Sequence, residues 1–275
     1  MKSLNIIGCG RVGKTLARLW QQNHGFAVQD VLTRALPSAQ EAVAFIGAGR
    51  AVAALDAMRP ADAWMLALPD AAIAPMAGEL AAVAQQRGWR ALAFHCSGAL
   101  AADALAPLAA LHWPVASAHC ILSFTSPARA LAQFADTPCG LEGDAQATAA
   151  LRPALEGIGA QCFALASQNK LLYHAAAVFA TNFLPVLQAM AHDLWRHTGM
   201  PEALLQPLQA TLLNNAVQNV QALGPAGALT GPAARGDLAL VQRQGQAVAQ
   251  WDAAAGQAYA ALSEWAARMG QQHTH

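Results

Sequence analysis

The sequence predicts an α/β domain with a parallel sheet over residues 1–166, followed by an all-α domain over 167–275. Three observations predict it. Short apolar runs alternate with helical stretches through the first part, the pattern of parallel strands covered by helices on both faces. From Ser167 onward no convincing strand pattern remains. Alanine dominates, above all after position 140, and favours helix.

The elements follow in order. Leu4 to Ile7 reads as a buried strand, and Val12 to Asn23 as the helix after it. Phe26 to Leu32 is a second strand, ending at Thr33-Arg34. A weaker unit spans Ala42 to Phe45 and Gly47 to Leu55. Ala63 to Leu68 is a strand broken by Pro69-Asp70, with a helix to about Gln86. Ala91 to Phe94 ends at His95-Cys96-Ser97-Gly98, and Val115 to Ala118 ends at His119-Cys120. Pro138 to Glu142 and Gln161 to Leu165 read as edge strands. Three helical patterns then cover 167–198, 201–223 and 233–269, punctuated by Gly199-Met200-Pro201 and Gly224-Pro225-Ala226-Gly227. His273-Thr274-His275 reads as a disordered end.

Composition narrows the function classes. The chain is 55% hydrophobic, 12% charged and formally neutral, which argues against a nucleic-acid binder. The opening strand pattern runs straight into the glycine turn, so no signal peptide is expected. Leu171 to Met190 is the stretch closest to a membrane span, but His174, Thr181, Asn182 and Pro185 interrupt it, so no membrane partner is expected. The five cysteines are odd in number and scattered, which points to reduced thiols and a cytoplasmic location.

The chemistry begins at Gly8-Cys9-Gly10-Arg11-Val12-Gly13. This G-x-G-x-x-G run follows an apolar strand and opens an amphipathic helix, the context of a Rossmann dinucleotide site. Gly8 permits the turn, Gly10 lets backbone approach a pyrophosphate, and Gly13 allows close helix–strand packing. The N–H groups of Arg11, Val12 and their neighbours are offered to phosphate. NAD sites usually carry Asp or Glu at the end of the second strand. Here Thr33 and Arg34 stand there, with Ser38 nearby, while Asp30 lies too early. A guanidinium matched to a 2′-phosphate favours NADP over NAD.

Ligands of open α/β sheets sit beyond the carboxyl ends of the strands. Pro69 and Asp70 lie at one such end, with Asp70 either facing the cofactor or capping a helix. Ser97 and His119 lie at two others and are the candidates to line a substrate cleft. The two His-Cys pairs lack C-x-x-C or H-x-x-x-H spacing, so no metal is expected. Only three lysines occur, at 2, 14 and 170. Lys170 opens an apolar helix, with His174 at i+4 and Asn182 two further turns on. That polar stripe reads either as a proton donor with two orienting partners or as a snorkelling lysine beside a core histidine. In Leu229 to Asp237, either Asp237 neutralises Arg235 or Arg235 binds an anionic substrate group.

The chain resembles a bacterial family that joins an NADP-type Rossmann-like domain to a helical domain of unknown function. The resemblance rests on Gly8 to Gly13, Leu68-Pro69-Asp70, His95 to Ala99, the region of His119, Lys170 to Asn182, and Ala228 to Asp237. The family usually has proline after His119, where this chain has Cys120. More distantly it is similar to pyrroline-5-carboxylate reductases, ketopantoate reductases, prephenate dehydrogenases and β-hydroxyacid dehydrogenases. In the last group a Ser binds substrate and a Lys with an Asn at i+4 acts in catalysis. Ser97 and Lys170 fall at comparable places, and His174 stands where that Asn would be.

The resemblance implies a hydride-transfer fold, often dimeric through the helical domain. The resulting expectation is an NADP-dependent oxidoreductase acting on a small carbonyl, hydroxyl or imine compound. Catalysis falls to Lys170, His174 and Asn182, and substrate binding to Ser97, His119 and Arg235. The rival expectation is a non-catalytic NADP(H)-binding sensor on the same fold. A homodimer is expected, because Trp251, Tyr259, Leu262 and Trp265 make the last helices apolar for an exposed surface, although the same residues could pack within one chain.

Overall fold

A computed structural model describes residues 1–273; Thr274 and His275, and with them most of the expected disordered end, lie outside the described residues. The chain forms β1 (Lys2–Ile7), α1 (Arg11–Asn23), β2 (Phe26–Leu32), α2 (Leu36–Ile46), β3 (Arg50–Val52), β4 (Ala63–Leu66) and α3 (Asp70–Arg87). There follow β5 (Leu92–His95), α4 (Ala106–Ala109), β6 (Val115–Cys120), α5 (Pro127–Gln133), β7 (Pro138–Gly143), α6 (Ala145–Glu156) and β8 (Gln161–Ala164). The eight strands make one sheet in the order β3-β2-β1-β4-β5-β6-β7-β8. All neighbours are parallel except β6 and β7, which run antiparallel, so the sheet is mostly rather than wholly parallel.

Period-two alternation distributes β1 between two cores. Leu4 and Ile6 pack with Leu16, Leu19 and Trp20 of α1 and with Leu151 and Leu155 of α6, whereas Ile7 joins Trp64, Trp113, Ile73 and Leu80 on the opposite face. Leu16, Leu19 and Trp20 stand at i, i+3 and i+4, which puts them on one helix face. Trp20 Nε1 donates to the Ala154 carbonyl at 2.8 Å, fixing α1 against α6. In the weak unit after β2, α2 covers more than expected and β3 is only three residues long.

Asp30 is fully buried. It is held by Arg59 at 2.7 Å and Arg50 at 3.0 Å, so its carboxylate is committed to the sheet.

The helical part comprises α7 (Lys170–Ala177), a π turn (Val178–Asn182), α8 (Phe183–His197), α9 (Glu202–Ala228), α10 (Leu238–Trp251) and α11 (Ala253–His273). The chain divides into two compact units, Met1–Thr181 and Asn182–His275. The division therefore falls after α7, not at residue 166, because the side chains of Lys170 and Tyr173 are bonded to strands β6 and β7 and their flanks. In the second unit the pattern 233–269 resolves into two helices that separate at Asp252, whose extended backbone ends α10. Gly224 kinks α9 with φ 71°, and helix resumes beyond it instead of stopping.

Residues 167–197 are long and apolar enough to cross a membrane by composition alone. Their first turns are instead tied to the sheet through Ser167, Lys170 and Tyr173.

Candidate functional site

A cavity of about 450 Å³ opens at the carboxyl ends of β1, β4 and β5. It is lined at one end by Gly10, Arg11, Val12 and Gly13, along its middle by Ala67, Leu68, Pro69 and Asp70, and at the other end by Cys96, Ser97, Gly98, Phe124 and His174.

The glycine turn fits a dinucleotide pyrophosphate. Gly8 has φ +75°, and a Cβ there would sit 2.5 Å from Leu68 Cδ2 and 2.7 Å from the Ala67 carbonyl oxygen. At Gly10 a Cβ would meet nothing within 4 Å, leaving open space above the turn. Gly10 is the N-cap of α1, no side chain caps the helix, and its first turn carries no acid, so the helix N-terminus is available to an anion. A Cβ on Gly13 would lie 3.1 Å from Ala67 Cβ, consistent with close helix–strand packing. Thr33 and Arg34 follow β2 and do not line the cavity. Thr33 Oγ1 donates to the Ala35 carbonyl at 2.8 Å, and Arg34 is exposed. Asp70 is the first residue of α3, exposed at the cavity edge, and Pro69 takes the cap position that Asp70 had been offered.

At the other end, two imidazoles converge on Gly98. A Cβ at this position would lie 2.5 Å from His174 Nδ1 and 2.8 Å from His119 Nε2. The rings meet edge to face, with centroids 5.7 Å apart. His174 Nδ1 is buried with no hydrogen-bond partner, a group held ready for a donor or acceptor from outside the chain. His119 is fixed by Tyr173, a residue that sequence reasoning missed. Tyr173 Oη donates to the His119 carbonyl at 3.2 Å and lies 2.9 Å from His119 Nδ1. The phenol thus engages Nδ1 and leaves Nε2 facing Gly98. Burial, with Lys170 and His174 nearby, pushes the His119 pKa down to about 4, so the ring is neutral at physiological pH. Tyr173 stands at i+3 from Lys170, within the family-like stretch, but nothing in its spacing revealed its partner.

Lys170 does not line the cavity. It is 1% exposed, and its Nζ donates to the Ser97 carbonyl at 2.9 Å and to Ser117 Oγ at 2.5 Å. Glu142 Oε1, 4.0 Å away, is the nearest countercharge. Glu142 in turn accepts from the Ala102 N–H at 2.6 Å and from Ser167 Oγ at 2.7 Å. Burial lowers the lysine pKa against the opposing pull of Glu142. The ammonium is neither a snorkelling group nor a donor to the cavity; it ties the Ser97 turn to β6 and β7.

Ser97 lines the cavity, although its Oγ already accepts from the Ala99 and Leu100 N–H groups. The π turn interrupts the α-helical spacing between His174 and Asn182, so Lys170, His174 and Asn182 do not form the regular stripe that a continuous α-helix would give. Asn182 begins the second unit. Arg235 is exposed in that unit, and Asp237 caps α10 by accepting from the Leu240 N–H at 3.1 Å. Among the described residues no group of three or more His, Cys, Asp or Glu side chains is arranged to hold a metal ion.

With this geometry in hand, comparison with known proteins is informative. Residues 1–116 match the model of a Rossmann-like domain, and residues 137–266 match a domain of unknown function, DUF2520. The chain joins these two domains. Among solved structures it is similar to protein TM1727 of Thermotoga maritima, with a TM-score of 0.74 and 22% identity over 99% of this chain and 100% of that one. A provisionally named NADP oxidoreductase of Bacteroides fragilis gives 0.74 and 24% over 97% and 98%. Pyrroline carboxylate reductase of Plasmodium falciparum with NADP bound gives 0.57 and 10% over 98% of each chain. Identities this low establish a shared fold, that of NAD(P)-dependent reductases and dehydrogenases. No curated protein matches the sequence.

Proposed function

We propose that the chain is an NADP-dependent oxidoreductase moving hydride between the nicotinamide and a small carbonyl, hydroxyl or imine compound. The observation that carries this reading is the continuity of the cavity from the phosphate-ready helix end to the strand ends at Ser97 and Gly98, where His174 lines it and His119 packs behind Gly98. When bound, the cofactor supplies or accepts the hydride.

The chain's own residues do the rest. The N-terminal N–H groups of α1 hold the pyrophosphate, while Arg34 and Thr33 take the 2′-phosphate. No carboxylate stands after β2 to claim a ribose 2′-hydroxyl, and Asp30 is withheld by its two arginines. His174 Nδ1 and His119 Nε2 orient the reacting oxygen or nitrogen. A neutral imidazole accepts the hydroxyl proton in the oxidising direction and returns it in the reducing one. Ser97 lines the cavity beside them. Lys170 acts through Ser97 and is a positioning residue.

Titration of NADPH and NADH against the fluorescence of the seven tryptophans tests the cofactor assignment. Tighter NADPH binding, lost in Arg34→Ala, is expected; equal affinities in the unaltered protein would overturn it. A screen of keto acids, hydroxy acids and imines at the absorbance of NADPH tests the reaction.

One observation favours a second reading, an NADP(H)-binding sensor without turnover: Lys170, the lysine at the Ser97 turn, keeps its ammonium out of the cavity. Tight NADPH binding with no turnover across that screen would establish it.

A second copy of the chain is the proposed cover for the apolar face of the second unit, where Leu204, Leu223, Leu262 and Trp265 are exposed. Sedimentation showing only monomer at micromolar concentration would refute it.

A further inference from the structure

Three of the five cysteines stand in one row across the sheet, on the face opposite His119. Cys120 of β6 is paired in register with Cys139 of β7, and Cys139 with Cys162 of β8. Cys120 Sγ lies 3.1 Å from Cys139 Sγ, and Cys162 is the in-register neighbour of Cys139 on its other side. Neighbouring strands are spaced by about 4.8 Å, so in-register residues of three strands are nearly collinear. Exchange between a thiol and a disulfide needs that arrangement, an attacking, a central and a leaving sulfur in line.

The local pairing also suits a cross-link. The Ile121 N–H donates to the Pro138 carbonyl at 2.8 Å, which makes Cys120 and Cys139 a non-hydrogen-bonded antiparallel pair. Such pairs hold their Cα atoms about 4.5 Å apart, inside the span of roughly 4.4 to 6.8 Å that a disulfide bridges. Access is graded along the row: Cys139 is fully buried, Cys120 is buried, and Cys162 on the edge strand is partly exposed.

We infer that Cys162, Cys139 and Cys120 form a thiol relay that takes oxidising equivalents from a small-molecule disulfide at the sheet edge and stores them as a Cys120–Cys139 disulfide. Cys162 sulfur attacks the small disulfide, giving a mixed disulfide and releasing one small thiol. Cys139 then attacks Cys162 sulfur, releasing the second small thiol. Cys120 attacks Cys139 sulfur, and Cys162 leaves as a thiol. The small disulfide gains two electrons and two protons, and Cys120 and Cys139 lose them. The Cys120 thiol and burial hold Cys139 protonated, and Cys139 and burial do the same for Cys162, so the entry and inward steps accelerate as pH rises. Closing the pair draws together β6 beside His119 and β7 beside Gly140, where a Cβ would lie 3.2 Å from Tyr173 Oη. The relay does not depend on the proposed hydride transfer.

The test is incubation of the whole protein with hydroxyethyl disulfide at pH 8, acid quench, unfolding, alkylation and mass spectrometry at successive times. Alkylatable thiols should fall from five to three, with a mixed disulfide on Cys162 first, a Cys139–Cys162 link next and a Cys120–Cys139 link last. In Cys120→Ser the sequence should stop at Cys139–Cys162, and in Cys162→Ser formation of the inner link should slow at least tenfold. Should either variant fail to fold, the order of links in the unaltered protein decides. Five alkylatable thiols at every time, a mixed disulfide that stays on Cys162, or links between chains would overturn the relay.

Discussion

Two strand ends carry the same dipeptide and meet different fates. His95-Cys96 closes β5 and His119-Cys120 closes β6. His95 is fully buried, its Nδ1 accepting from the Ser97 N–H at 3.2 Å and its Nε2 3.0 Å from the Ala101 carbonyl. Both ring nitrogens are therefore spent on the backbone of one loop. His119 spends one nitrogen on Tyr173 and packs the other against Gly98. The difference lies in the partners: a loop that folds back on itself takes both nitrogens, whereas a helix that supplies one phenol engages only one.

The sharpest way to break this contrast is to remove each ring. His119→Ala and His174→Ala should each lower kcat/KM on a substrate found in the screen by about 100- to 1000-fold, with little change in melting temperature. Unaltered turnover in both would end the assignment of either ring to the reaction. His95→Ala should do the reverse. It strands the Ser97 N–H and the Ala101 carbonyl and leaves a void, costing about 3 kcal/mol, or roughly 6–12 °C in Tm, while NADPH affinity persists. Calorimetry alongside the fluorescence titration checks both halves.

A pH series sharpens the same pair. Burial pushes both rings down to about 4 from 6.5. Each is neutral when folded and takes up a proton more readily when unfolded, so stability is present above pH 6.5 and is lost as pH falls towards 4. Urea unfolding across that window should show a slope approaching two protons, reduced by about one in His119→Asn. The smallest effect is expected of Tyr173→Phe. It frees the His119 tautomer and should cost about tenfold in turnover, roughly 1.4 kcal/mol, with folding nearly intact.

Much of the fold was legible in sequence because it depends on local pattern. The strand of Phe26 to Leu32 was located by its apolar run, and the glycine turn by its spacing between strand and helix. The antiparallel entry of β7 was not, since strand direction is set by where a chain returns and not by the residues within it. The site was legible in its members more than in their duties. Ser97, His119 and His174 do come together around Gly98. Lys170 turned inward because Glu142, a strand residue far back in the chain, and the Ser97 carbonyl stand beneath it. No periodicity reveals such a long-range partner. Replacing Lys170 by Met tests that duty: leaving Glu142 short of its countercharge should cost about 3 kcal/mol of stability, and any acidic limb of the pH–rate profile should stay in place.

At Gly98 a methyl group would touch both rings at once. The backbone there lies outside the left-handed region, so Gly98→Ala demands ring displacement and not refolding. One added carbon would thus push both imidazoles off their positions while leaving the glycine turn that faces the nucleotide untouched, which separates holding the cofactor from acting beside it.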